Sequence, residues 1–88
     1  PFLAPLHIRK VYELGPWNIT VNSVAPGPLK GKMFLSLSQD KVDKLSAGVR
    51  IPRLGELDDI AGAIAYLGSD DASWTTGEVL DVNGGLQY

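Results

Sequence analysis

The feature that most constrains the fold is a pair of short apolar segments, "NITVNSVA" (18–25) and "EVLDVNGG" (78–85), which stand far apart in the chain. The first is mostly apolar with β-branched residues and is bounded by turn residues, and the second alternates Val79 and Val82 before a double glycine. Both patterns are typical of strands. Helical patterns fill the sequence between them, so the two strands should pair in parallel. Parallel strands need neighbours and cover on both faces. The sequence therefore predicts the edge of a larger α/β sheet.

The clearest helix is "ELDDIAGAIAYLG" (56–68). One apolar face repeats at helical spacing and consists of Leu57, Ile60, Ala61, Ile64 and Leu67. Asp58 and Asp59 stand in the first turn, where they complement the helix dipole, and Gly68 suits the end. We interpret the two aspartates as helix-start charges and not as a catalytic carboxylate pair.

Two further helical patterns flank the first strand. The first begins near Pro5, runs over residues 6–14 and is closed by Gly15-Pro16. The second covers residues 34–48 as one helix or two short ones, with Gly48 as its end. Residues 51–55 then form a connector.

The composition limits the classes of partner and site. The 88 residues make a single small domain, 1–88, here a partial one, whose net charge is −2 with scattered basic residues. No basic stripe indicates a nucleic-acid or membrane surface. With no cysteine and only one histidine, which we place on the surface, no metal site is predicted. No apolar run could span a bilayer, and we expect a cytoplasmic protein.

The segment "VNSVAPGPLKGKM" (21–33) is the candidate binding loop. A phosphate-binding loop would need G-x-x-x-x-G-K-[ST], but Gly27 and Gly31 are one residue too close and Met33 replaces the hydroxyl. The spacing G-x-G-x-x-G of dinucleotide-binding loops is also absent from the chain. From the residues alone, the loop is either a plain turn at a strand end or a contact for another part of a nucleotide.

Four short motifs, in order, resemble the carboxyl-terminal third of the short-chain dehydrogenases/reductases. They are N-x-V-x-P-G at 22–27, R-x-G at 53–55, L-x-S-D at 67–70 and T-G-x-x-L-x-V-N-G-G at 76–85. Each is weak alone, but their order and spacing together are specific. The resemblance extends over about residues 13–85.

This resemblance implies the carboxyl-terminal edge of a Rossmann-type doubly wound parallel sheet and contact with NAD or NADP. The loop after the first strand would meet the nicotinamide end of the cofactor, with backbone groups of Leu29 facing the carboxamide. The implied cofactor-binding residues are Pro26, Gly27, Leu29 and Gly31. Pro26 would stiffen the strand exit, and Gly27 would let the ring approach the backbone. The variable segment 32–48 would form a substrate lid.

Two departures from the family pattern bear on cofactor binding and catalysis. Gly31 stands where the family usually has a threonine that assists cofactor binding. The Tyr-x-x-x-Lys pair of the family's proton chemistry is absent, because no lysine has a tyrosine four residues earlier. No catalytic residue is therefore assigned, and the chain alone should be inactive.

Two hypotheses follow. The favoured one is the carboxyl-terminal segment of an NAD(P)-dependent oxidoreductase. Its partners would be the missing amino-terminal part of the fold or identical subunits in a homo-oligomer. Trp74 and Tyr88 would be contact residues. The alternative is a non-catalytic self-associating module, or a truncated remnant without activity.

Overall fold

The computed structural model describes residues 6–31 and 36–86. The helices and strands in chain order are α1 (Leu6–Leu14), β1 (Ser23–Pro26), α2 (Gln39–Ala47), α3 (Leu57–Leu67) and β2 (Val79–Val82). Two single 3₁₀ turns, Gly15–Trp17 and Asp70–Ala72, follow α1 and α3.

The two strands pair in parallel, which confirms the predicted α/β fold with a helical crossover. Ser23 lies opposite Val79 and Pro26 opposite Val82, and β1 and β2 are adjacent throughout this register. The carboxyl ends of both strands therefore meet at one edge of the sheet, where open α/β sheets bind ligands.

The first strand is shorter than the predicted 18–25. Asn18 ends the 3₁₀ turn in a left-handed conformation (φ 60°), and the amide of Ile19 still donates to the Leu14 carbonyl at 3.3 Å. The Val21 amide donates to the hydroxyl of Thr76, 3.0 Å away, instead of to a backbone carbonyl. The ladder therefore begins only at Ser23.

Helix α3 has the predicted limits. Its N-cap, Glu56, forms a capping box with Asp59, whose Oδ2 accepts the Glu56 amide at 2.8 Å. At the other end the Gly68 amide donates to the Ile64 carbonyl at 3.0 Å. The interpretation of Asp59 as a helix-start charge is confirmed.

Helix α2 occupies the second half of the region predicted as helical over 34–48. It starts late because Ser38 is its N-cap, with the side-chain oxygen accepting the Lys41 amide at 3.3 Å, and it ends at the predicted Gly48. Residues 32–35, the first part of the predicted lid, lie outside the described residues.

The chain buries little apolar surface. Among the described residues, the buried hydrophobic side chains are Val49, Leu54 and Ala72. On α3, Leu57 is 61 % exposed and Ile64 is 57 % exposed, so part of the predicted apolar face has no cover. No described helix is both long enough and apolar enough to cross a membrane.

The prediction of a surface position for His7 was wrong in part. The side chain is half-buried, and its Nε2 atom is buried without a hydrogen-bond partner among the described residues. The ring lies on α1, whose Ile8 and Val11 side chains approach Gly77 before β2. This packing against the second strand's entry was not visible in the helical pattern alone.

Candidate functional site

A cavity of about 160 Å³ opens at the carboxyl ends of the two strands. Its walls come from three loops: the one after β1, the one after β2 and the connector before α3. The lining residues are Pro28, Leu29, Val49, Ile51, Arg53, Gly55, Asp59, Val82, Asn83 and Gly84. The walls are mostly apolar with a few polar groups, which is the usual composition of a small-molecule site.

Gly27 permits the loops after β1 and β2 to pack in contact. A Cβ at position 27 would lie 2.8 Å from both the Cα and the Cβ of Asn83, closer than any real side chain tolerates. The Gly27 amide also donates to the Val82 carbonyl at 3.1 Å. The structure therefore gives a reason for glycine at this position that does not depend on a ligand.

Leu29 is held beside the connector by backbone hydrogen bonds. The Lys30 amide donates to the Gly55 carbonyl and the Gly55 amide donates to the Pro28 carbonyl, both at 2.9 Å. These bonds form an isolated parallel bridge between Leu29 and Gly55. The predicted connector 51–55 is thus a structural wall of the cavity.

The loop after β2 holds the start of the same connector. The Gly84 carbonyl accepts the amides of Arg50 and Ile51 at 2.7 and 2.9 Å. The Asn83 side chain turns back to accept the Gly85 amide at 3.0 Å. This side of the cavity is therefore fixed by backbone groups and by one amide side chain.

Arg53 and Asp59 form the charged pair of the cavity wall. Arg53 donates from Nη1 to Asp59 Oδ2 at 2.9 Å and from Nη2 to Oδ1 at 3.3 Å. The hydrogen bond from Arg53 is the main cause that lowers the pKa of the Asp59 carboxyl, and the Glu56 amide lowers it further. The same pairing raises the pKa of Arg53. Both side chains are therefore ionised at neutral pH.

The predicted cofactor-binding residues all lie on the loop that follows β1, but they differ in their relation to the cavity. Leu29 lines it. Pro26 is exposed, and Gly27 packs against Asn83 outside the lining. Among the described residues, a Cβ at Gly31 would meet no atom within 4 Å, so none of these neighbours requires a glycine there.

Sequence reasoning missed the side chains that hold the loop. Arg53 and Gly55 were noticed only as a family motif, and Asp59 only as a helix charge. The R-x-G spacing with an acidic residue six positions after the arginine was the available signal. This spacing indicates a role for Arg53 and Asp59 at the loop only when the position of the connector beside the loop after β1 is known.

Asn22 forms hydrogen bonds through both ends of its side-chain amide. Its Nδ2 donates to the Thr75 carbonyl, and its Oδ1 accepts the Glu78 amide, both at 3.1 Å. The side chain joins the entry of β1 to the loop before β2. It is not among the residues that line the cavity.

The paired parallel strands with a helical crossover, and the cavity at their carboxyl ends, define the class: an open α/β sheet protein. Residues 11–87 match the family model described as enoyl-(acyl carrier protein) reductase. The chain belongs to this family, within the short-chain dehydrogenases/reductases, and the resemblance predicted from the four motifs is confirmed.

Three relatives illustrate the match. The 3-oxoacyl-(acyl-carrier-protein) reductase FabG of Salmonella typhimurium is 47 % identical over 74 residues, which are 84 % of this chain and 30 % of that protein. A 3-oxoacyl-(acyl-carrier protein) reductase structure from Brucella melitensis has a TM-score of 0.87 at 31 % identity, over 91 % of this chain and 30 % of its own. A blue fluorescent protein from a metagenomic library, solved with NADPH, has a TM-score of 0.85 at 34 % identity, over 94 % and 33 %.

The share of each relative that the match covers shows how much of the family's fold this chain contains. The chain spans about a third of the length of the relatives it matches. The two strands and three helices described above therefore correspond to one part of a Rossmann-type reductase fold, as predicted.

Proposed function

We propose that the chain forms the nicotinamide-facing wall of a cytoplasmic NAD(P)-dependent oxidoreductase that exchanges hydride between the cofactor and an alcohol or carbonyl substrate. The contacts would come from the loop after β1, through Pro26, Gly27, Leu29 and Gly31. The segment 32–48 would close over the substrate. Without the Tyr-x-x-x-Lys pair, the chain by itself transfers no hydride.

The cavity at the carboxyl ends of both strands carries this proposal. Leu29 lines it, and the bridge to Gly55 holds the Leu29 backbone at its rim. A rigid loop with a small apolar cavity suits a flat ring whose carboxamide needs backbone partners. The NADPH-bound relative supports a nicotinamide cofactor for this family.

The outer edge of β1 would dock the upstream part of the same fold. The Ser23 and Gly27 amides donate toward β2, so the backbone of the alternate residues Asn22 and Val24 faces the opposite edge. An open hollow of about 320 Å³ lies beside that edge, lined by Thr20, Asn22, Val24, Ile64, Leu67 and Gly68. Because the relatives are about three times as long as the chain, an upstream strand and helix are the occupant we propose.

The cofactor role is tested by titrating the ¹⁵N-labelled chain with nicotinamide mononucleotide and following the backbone amide signals. We expect weak saturable shifts, with a Kd on the order of 1 mM, concentrated at the amides of Gly27, Leu29 and Gly31. ADP-ribose, which lacks the nicotinamide ring, is the matched ligand and should leave these signals in place. Absence of shifts at saturating mononucleotide would overturn the proposed contact.

Self-association is the second candidate, because the same uncovered edge could pair with another copy. Sedimentation of the chain at several concentrations, alone and with the separately produced upstream portion of a family reductase, distinguishes the occupants. We expect a heterodimer with the upstream portion, which Ile64→Asp abolishes. A concentration-dependent homo-oligomer that the upstream portion does not displace would favour the self-associating module.

A further inference from the structure

The loop after β1 is held by a small set of residues that the proposed cofactor contact does not use. These residues are Arg53, Gly55 and Asp59. On the backbone side, a pair of 2.9 Å hydrogen bonds places Gly55 beside Leu29. On the side-chain side, a fork of hydrogen bonds joins Arg53 to Asp59.

The fork fixes the connector to the first turn of α3. Arg53 Nη1 donates to Asp59 Oδ2 at 2.9 Å and to the carbonyl of Leu54, the next residue, at 3.1 Å. Asp59 Oδ2 in turn accepts the Glu56 amide at 2.8 Å. Three hydrogen bonds therefore join residues 53 and 56 to the Asp59 carboxylate, and a fourth joins the Arg53 side chain to the Leu54 carbonyl. Together they set the direction in which Gly55 presents its peptide groups.

Gly55 brings the connector and the loop into close contact. A Cβ at position 55 would lie 2.7 Å from Leu29 Cδ2 and 3.4 Å from the Pro28 carbonyl oxygen. An ion pair between Lys30 Nζ and Glu56 Oε1 at 3.2 Å joins the same two segments. We therefore expect movement of the connector to displace the Leu29 backbone.

Arg53 lines the cavity, and an arginine there could instead bind an anionic ligand. Two of its donor groups are already used by Asp59, whose negative charge offsets its positive charge. The carboxylate would also repel an incoming anion. The geometry favours a role in holding the protein's own backbone.

We propose that Arg53, acting through Asp59 and Gly55, is a positioning residue that holds the Leu29–Lys30 backbone in the orientation that receives the nicotinamide carboxamide. The binding half of this inference rests on the proposed function. The mechanical half, a loop held by the fork, concerns the chain alone.

The test uses the ¹⁵N-labelled 88-residue chain with Arg53→Lys, which keeps the charge but cannot donate two parallel hydrogen bonds to the carboxylate. Glu13→Gln is the matched control, because it breaks the exposed Lys10–Glu13 ion pair, 3.1 Å long, on the distant helix α1. Amide hydrogen exchange is followed at Lys30 and Gly55, whose bonds form the bridge. Ser23 and Gly27, which donate to residues 78 and 82, report opening of the sheet itself.

We expect Arg53→Lys to speed amide exchange at Lys30 and Gly55 about tenfold more than at Ser23 and Gly27. The affinity of the chain for nicotinamide mononucleotide should fall several-fold. Glu13→Gln should change neither. A uniform acceleration at all four amides would mean a general loss of stability and would overturn positioning, as would unchanged rates. Faster local exchange with unchanged affinity would overturn the link to binding. If the unsubstituted chain binds no mononucleotide, the proposed function and the binding half fail together, while the exchange rates still decide the mechanical half.

Discussion

The loops at the carboxyl end of the strands and the outer edge of β1 differ in how much of their contact surface the chain itself supplies. At the loops, Gly27 touches Asn83, Leu29 pairs with Gly55, and the Gly84 carbonyl accepts two amides. At the outer edge, the backbone of Val24 has no strand beside it among the described residues, and Ile64 is more than half exposed. One region is complete and the other is not.

This difference separates what the segment contributes from what it requires. The contacts that shape the cavity join loops 28–30, 49–55 and 83–85, which all belong to this chain. The contacts that would stabilise the sheet need strands and helices that are not among the described residues. We infer that the cavity wall is preformed, while stability depends on covering the outer edge.

The largest expected effect on the free energy of unfolding comes from a truncation to alanine in the complete region, compared with the same truncation in the incomplete one. Leu54→Ala removes a side chain that is only 3 % exposed, and should lower the free energy of unfolding by about 3 kcal/mol. Ile64→Ala removes one from the uncovered helix face and should change it by less than about 0.5 kcal/mol, because alanine is also the better helix former. Urea unfolding followed by circular dichroism measures both.

Adding the upstream portion of a family reductase sharpens this test. If Ile64 faces that portion in the complex, Ile64→Ala should then become costly, while the penalty of Leu54→Ala should stay the same. Equal penalties for the two variants in the isolated chain would contradict the division into a complete and an incomplete region.

The elements that the sequence predicted correctly are those governed by local rules. Helix α3 has its limits at Glu56 and Gly68, because capping and apolar spacing are both written in adjacent residues. Parallel pairing followed from the long helical crossover and was confirmed.

What could not be predicted depends on which loops become neighbours. Arg53 and Asp59 are six residues apart, but their effect on Leu29 arises only when the connector lies beside the loop after β1. The late start of the β1 ladder, at Ser23, likewise reflects the hydroxyl of Thr76, which accepts the Val21 amide from 55 residues away in the chain. Periodicity within a segment contains no information about such contacts.

A smaller effect tests how tightly the complete region is packed. Gly27→Ala places a methyl group 2.8 Å from backbone and Cβ atoms of Asn83, which cannot rotate away, and should cost about 2 kcal/mol in unfolding free energy. In Gly31→Ala, on the same loop, the new methyl group would meet no atom of the described residues within 4 Å, and the change should cost less than about 0.5 kcal/mol. Denaturant midpoints of the two variants give the comparison.

The backbone amide NMR signals of Asn83 and Gly84 provide a second measurement for the same two variants. Gly27→Ala should shift both amides, since the loop after β2 must move to make room, whereas Gly31→Ala should not. A neutral Gly27→Ala would show that the two loops are not in contact, and the cavity between them would lose one wall.

The smallest effect concerns the charged pair at the rim. The pKa of Asp59 is lowered in the folded chain, so its contribution to stability is complete above its unfolded pKa, near 3.9, and is lost as pH falls through the lower folded pKa. The stability advantage of the unsubstituted chain over Asp59→Asn should therefore be constant at neutral pH and shrink below about pH 4. Unfolding curves between pH 2.5 and pH 7, spaced at roughly half a unit, measure the difference.

High salt provides the control, because the pair is solvent-exposed and about 1 M salt reduces the screening length to roughly 3 Å. The coulombic part of the advantage should fall with salt, while the hydrogen bonds from Arg53 and from the Glu56 amide should preserve a remainder. An advantage that grows on acidification would reverse the sign of the linkage. It would mean that Asp59 is protonated more readily in the folded chain, and the Arg53 fork could not then be what holds the connector against the loop.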